Sequence, residues 1–122
     1  MPASIKYIRS SEELDSIFSA SFERPNIVLK HSNSCGISAH ILHQLTGSIE
    51  HEINVIVVQT ERELSNMVAD RTGHRHQSPQ IFVLADGLPI YHATHYGINP
   101  AIVSMKVLPS EPPTSSQETA QI

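Results

Sequence analysis

The chain has 122 residues, of which 39% are hydrophobic, so it can form one domain that buries a core without disulfides. Its net charge of -4 and the lack of a basic stripe argue against a nucleic-acid partner. No apolar run approaches the roughly 20 residues of a membrane helix, so no membrane partner is expected, and the single cysteine excludes an internal disulfide.

The predicted elements alternate between strands and helices. Runs of β-branched and other apolar residues indicate strands, and apolar residues at helical spacing indicate helices. In chain order we predict a strand at Ile5–Ile8, a helix after Ser10, a strand at Asn26–His31, a helix from about Cys35 to Leu45, a strand at Ile53–Val58, a helix after Thr60, strands at Gln80–Leu84 and Ile90–Thr94, and a helix at Ala101–Lys106.

Local signals predict where several of these elements begin and end. Ser10 and Thr60 each precede a glutamate by three residues, which is the spacing of a capping box at a helix start. Thr46-Gly47 and Gly73 are expected to end the second and third helices. Asp86-Gly87 predicts the turn of a hairpin between the last two strands.

This order predicts an α/β protein with the thioredoxin arrangement, a mixed central sheet flanked by helices. A helix between consecutive strands implies parallel pairing, and the late hairpin adds an antiparallel strand. We expect residues 1–108 to form this domain and residues 109–122, rich in Ser, Thr, Gln, Glu and Pro, to form a disordered tail. No signal-like apolar run opens the chain, so a cytoplasmic location is expected.

Cys35 is the candidate nucleophile. It follows a buried strand and a serine-rich turn and lies at the start of a predicted helix, where free backbone N–H groups favour a thiolate. Ser38 replaces the second cysteine of a C-x-x-C redox motif, so it can donate a hydrogen bond to the thiolate but cannot resolve a mixed disulfide. The chemistry left to this motif is monothiol exchange.

The Ser78-Pro79 pair opens the third strand run. A proline there cannot donate a ladder hydrogen bond, so a special turn must hold it. The resemblance to thioredoxin-like folds, rather than the position alone, implies that this peptide bond is cis. In thioredoxin-like folds a proline at this position faces the cysteine across the sheet.

Four segments together resemble the monothiol bacilliredoxins of the thioredoxin superfamily, with similarity from about Ile5 to Val103. The segments are Lys30–Ser38, Leu64–Arg71, Arg75–Gln80 and the stretch from Asp86 to His95. The resemblance implies that Cys35 exchanges a low-molecular-weight thiol such as bacillithiol with S-thiolated client proteins, without a cofactor. The candidate substrate-binding residues beside it are Gly36, Ser38, Ser78, Pro79 and His76.

The sequence departs from that family at two places. Gly36 stands where the family usually carries proline, which bears on the pKa and redox poise of the thiol. Tyr96-Gly97 stands where the family tends to carry tryptophan and an acid. The identity of the small thiol therefore stays open.

Two other functional classes remain open at this stage. The first is a thioredoxin-fold binding module with an unreactive thiol. The second is metal binding, either zinc through pairs among the eight histidines or an iron–sulfur cluster through Cys35. Surface or half-buried histidines without metal are the simpler interpretation, so we predict no metal site.

Overall fold

One five-stranded sheet organises the molecule, and the computed structural model describes residues 4–108. The elements are β1 Ile5–Tyr7, α1 Ser11–Ala20, β2 Asn26–His31, α2 Gly36–Ser48, β3 Ile53–Val57, α3 Arg62–Thr72, β4 Gln80–Ala85, β5 Leu88–Thr94, a 3-10 turn at His95–Gly97 and α4 Pro100–Val107. The strand order is β1-β3-β2-β4-β5. The predicted order of strands and helices is confirmed, and the predicted tail at 109–122 lies outside the described residues.

The central strand β2 explains how the sheet is covered on both faces. Parallel β3 lies on one side of it and antiparallel β4 on the other. Side chains alternate along a strand, so Ile27 and Leu29 pack with α2 and α4, whereas Val28 packs with α1 and α3 on the opposite face. Lys30 lies on the same face as Val28 and is also fully buried.

The first predicted capping box is confirmed and the second is wrong. Ser10 caps α1 by accepting a hydrogen bond from the Glu13 N–H, and the Glu13 carboxylate accepts one from the Arg9 N–H. At α3 the N-cap residue is Glu61, without a side-chain hydrogen bond. The Thr60 hydroxyl is instead turned back toward the end of β3, where it donates to the Val57 carbonyl at 3.5 Å.

The predicted end of α2 at Thr46-Gly47 is also wrong, because the helix continues to Ser48. The next residue, Ile49, is 2% exposed, so burial of its side chain favours carrying the helix past the glycine. The Thr46 hydroxyl donates to the His43 carbonyl at 3.0 Å and is satisfied within the helix. Gly73, by contrast, ends α3 in the left-handed conformation, as predicted.

The hairpin and the turn after it shape the last third of the domain. Asp86 and Gly87 both have positive φ, 54° and 76°, which is the backbone of a tight hairpin turn. After β5, His95 also has a positive φ of 53° and opens the 3-10 turn, which the sequence analysis did not predict. Asn99 then caps α4. None of the described helices is long and apolar enough to cross a membrane.

Candidate active site

Cys35 is the N-cap residue of α2, so its side chain lies where the helix begins. Its backbone is extended, with φ -114° and ψ 119°, and the residue is partly buried. The Cys35 side chain makes no capping hydrogen bond. Gly36 follows as the first helical residue, and a Cβ at that position would meet nothing within 4 Å. The local packing therefore does not require glycine after the cysteine.

The surroundings of Cys35 lower the pKa of its thiol. The largest cause is the Ser38 backbone N–H, with smaller contributions from the Ile37 backbone N–H and the Ser38 hydroxyl, while partial burial acts in the opposite direction. These groups lie at the helix start, where N–H donors lack partners within the helix. They are positioned to stabilise a thiolate more than the neutral thiol, and the thiolate is the nucleophilic form of cysteine.

The loop that carries Cys35 is held by a side chain that the sequence analysis missed. The Gln59 amide donates to the hydroxyls of Ser32 and Ser34 at 2.7 and 3.1 Å, and its oxygen accepts from the Asn33 N–H at 3.1 Å. Gln59 follows β3, which runs beside β2, so the topology brings it to this loop. A glutamine just after a parallel strand was the available signal, but it is a weak one.

Ser38 lies beneath this loop. It is fully buried, and its hydroxyl accepts a hydrogen bond from the Ser32 N–H at 3.3 Å. In this position Ser38 supports both the loop and the cysteine. Its direct contact with a substrate stays a prediction.

Ser78-Pro79 lies at the same end of the sheet as the Cys35 loop. The peptide bond is cis, as predicted. β4 begins at the next residue and pairs Gln80 with Lys30, close to the end of β2 from which the Cys35 loop departs. The Pro79 carbonyl accepts a hydrogen bond from the His95 N–H at 2.9 Å. Contact between Pro79 and Cys35 remains a prediction.

His76 belongs to a polar cluster beside this end of the sheet. Its Nδ1 lies 2.9 Å from the Ser65 Oγ and 3.5 Å from the Lys30 Nζ. Burial lowers the pKa of His76, and the positive charges of Lys30 and Arg62 lower it further. The imidazole is therefore neutral near pH 7.

The other paired histidines do not converge on Cys35 as metal ligands. His74 stacks on His92 with ring centroids 3.8 Å apart, and the His92 Nε2 accepts from the Gln80 amide at 2.9 Å. Within residues 4–108, no three His, Cys, Asp or Glu side chains form a group that could hold one metal ion.

The lowered pKa of Cys35 predicts its reactivity as a function of pH. We expect the rate of alkylation by iodoacetamide to rise with a midpoint below the value of about 8.5 for free cysteine. A Ser38→Ala variant should keep most of the effect, because the larger contributions come from backbone N–H groups. A wild-type midpoint at or above that of free cysteine would contradict the thiolate assignment.

The comparisons with known proteins agree with this geometry. The profile of the family described as "Monothiol bacilliredoxin BrxC" matches residues 6–103. A solved structure described as having a thioredoxin fold is 27% identical, with a TM-score of 0.75, and the match covers 84% of this chain and 92% of that one. Thioredoxin NaTrxh from Nicotiana alata is 12% identical, with a TM-score of 0.67 and coverage of 88% and 92%. At 12% identity, the similarity to NaTrxh shows a shared fold alone.

Proposed function

Because the chain belongs to the monothiol bacilliredoxin family, we propose that Cys35 exchanges a low-molecular-weight thiol with S-thiolated client proteins. The observation that carries the proposal is the position of Cys35 at the start of α2, next to N–H groups that favour its thiolate. It is also the sole cysteine of the chain. An attacking thiol with no resolving partner in its own chain must pass its disulfide to an outside thiol.

The proposed reaction moves a disulfide bond without net oxidation or reduction. The Cys35 thiolate attacks the small-thiol sulfur of the client's mixed disulfide. A new bond forms between Cys35 and the small thiol, the bond to the client breaks, and the client leaves as a thiolate. A second small-thiol anion then attacks the adduct, forms a small-molecule disulfide and releases the Cys35 thiolate.

The surrounding residues have separate proposed roles. Gly36 keeps the approach to the sulfur open, since no side chain projects from it. The backbone of Ser78 and the ring of Pro79 shape the groove that receives the client. Ser38 positions the thiolate from below. Regeneration needs a reducing thiol pool, so the cytoplasm is the compartment we propose.

Mass spectrometry tests this function directly. We expect the reduced protein, treated with oxidised bacillithiol or oxidised glutathione, to gain one adduct per chain, and a fresh thiol to remove it. A Cys35→Ser variant should gain none. A client with one S-thiolated cysteine should lose its small thiol as the adduct appears on Cys35. If no adduct forms under conditions that modify a control thiol, the chain is better explained as a binding module with an inert cysteine.

A further inference from the structure

A pocket of about 170 Å³ adjoins the Cys35 loop on the side of α3. Its lining consists of Val58, Gln59, Arg62, Ser65, Asn66 and His76. Gln59 forms part of the wall and also donates to the Ser34 hydroxyl, one residue before Cys35. Gln59 therefore joins the pocket to the loop that carries Cys35.

The lining of this pocket favours a negative charge. Arg62 contributes a guanidinium group, and no carboxylate of the described residues pairs with it. None of the six lining residues is acidic. Glu61 and Glu63, on either side of Arg62, line a different pocket. An arginine without an acidic partner in a concave site is suited to bind a carboxylate by two hydrogen bonds.

Lys30 does not line the pocket but contacts His76, which does. Its side chain is fully buried, and its amine lies 3.5 Å from the Nδ1 of His76. A protonated amine can only donate, so Nδ1 must accept and the ring proton must lie on Nε2. The Ser65 hydroxyl, 2.9 Å from the same Nδ1, can donate to it as well. The free ring nitrogen of His76 is therefore an N–H donor, as an anion site requires.

We infer that this pocket binds a carboxylate of the low-molecular-weight thiol while its sulfur is bonded to, or approaching, Cys35. The inference rests on the proposed function, because it takes the small thiol as the group that Cys35 receives. The volume suits a small carboxylate-bearing fragment. Arg62 and His76 would bind the carboxylate of that fragment. Gln59 lines the pocket and hydrogen-bonds to the loop that carries Cys35. The substrate class is then an acidic small thiol.

The test compares two disulfides, one with free carboxylates and one with those carboxylates masked as ethyl esters. The first is oxidised glutathione, and the second is its tetraethyl ester, in which all four carboxylates are masked. We expect Arg62→Gln to slow adduct formation from oxidised glutathione about threefold, as for one charge-assisted hydrogen bond at an exposed site. The rate with the ester should stay the same or rise. Arg24→Gln is the matched control, because Arg24 is exposed and lies at the opposite end of β2.

Two results would overturn the inference. These are an unchanged rate with oxidised glutathione and an equal loss with both disulfides. Failure of the proposed function looks different, because the wild-type chain would then form no adduct with either disulfide.

Discussion

Replacing Lys30 with methionine is expected to stabilise the fold by about 2 kcal/mol at pH 7. Lys30 is fully buried on β2, and burial lowers the pKa of its amine to about 8 from an ordinary value of 10.5. Keeping that amine charged at pH 7 costs on the order of 3 kcal/mol, since each pKa unit corresponds to about 1.4 kcal/mol. Loss of its hydrogen bond to His76 offsets part of the gain.

The same argument predicts how stability depends on pH. The amine binds protons more tightly in the unfolded chain than in the folded one, so the folded state gains stability as pH rises from about 8 toward 10.5. Between pH 7 and pH 9 the gain from Lys30 should be about 1 kcal/mol. Lys30→Met should remove it. The lowered pKa of Cys35 gives a pH dependence of the same sign, so both chains should carry Cys35→Ser.

Urea denaturation at pH 7 and pH 9 measures both effects. Lys6→Met is the control, because Lys6 is also on a strand but is exposed, and its loss should change stability by less than about 0.5 kcal/mol. A less stable Lys30→Met protein, or one that keeps the pH slope of its parent, would contradict the assignment. If both expected results are found, the chain retains a buried charge that destabilises its fold. That is consistent with a role for Lys30 beside His76 in the proposed carboxylate pocket.

The fold was accessible from the sequence because its strongest signals are local. The apolar run Asn26–His31 forms a strand, as its pattern predicts. The turn signal Asp86-Gly87 forms the predicted hairpin turn. The errors arose where tertiary contacts overrode a local signal. Burial of Ile49 carries α2 past Gly47, and the tight turn after β3 leaves Thr60 outside the cap of α3.

The candidate site was predictable only in part, for the same physical reason. Cys35 could be predicted from the serine-rich turn and helix start around it, whereas the cis bond before Pro79 was predicted from the resemblance to thioredoxin-like folds. The contacts of Gln59 and Lys30 join residues that are 25 to 46 positions apart in the chain. A local sequence pattern spans only a few residues, so it cannot reveal contacts between positions so far apart in the chain. The parallel pairing of β2 with β3 and the antiparallel pairing of β2 with β4 create these contacts.

Replacing Ser38 with cysteine should have the largest effect on the chemistry, because it supplies the resolving thiol that the motif lacks. Residues three apart at a helix start have Cβ atoms about 5–6 Å apart, close enough for small adjustments to allow a disulfide. The Ser38 hydroxyl is near enough to Cys35 to help lower the pKa of its thiol. The new thiolate should attack the Cys35 sulfur of the adduct, form an internal disulfide and expel the small thiol.

Mass spectrometry after treatment with oxidised glutathione distinguishes a stable glutathione adduct on Cys35 from an internal disulfide between positions 35 and 38. Wild-type chain should accumulate the adduct, whereas Ser38→Cys should show at least about tenfold less adduct and a chain lighter by about 2 Da, the mass of two hydrogens. Position 38 is fully buried, which raises the pKa of a thiol there, so the comparison belongs at pH 8 or above. Ser38→Ala is the control and should accumulate adduct as wild type does. Equal adduct in Ser38→Cys and wild type would show that the two side chains do not meet at the start of α2.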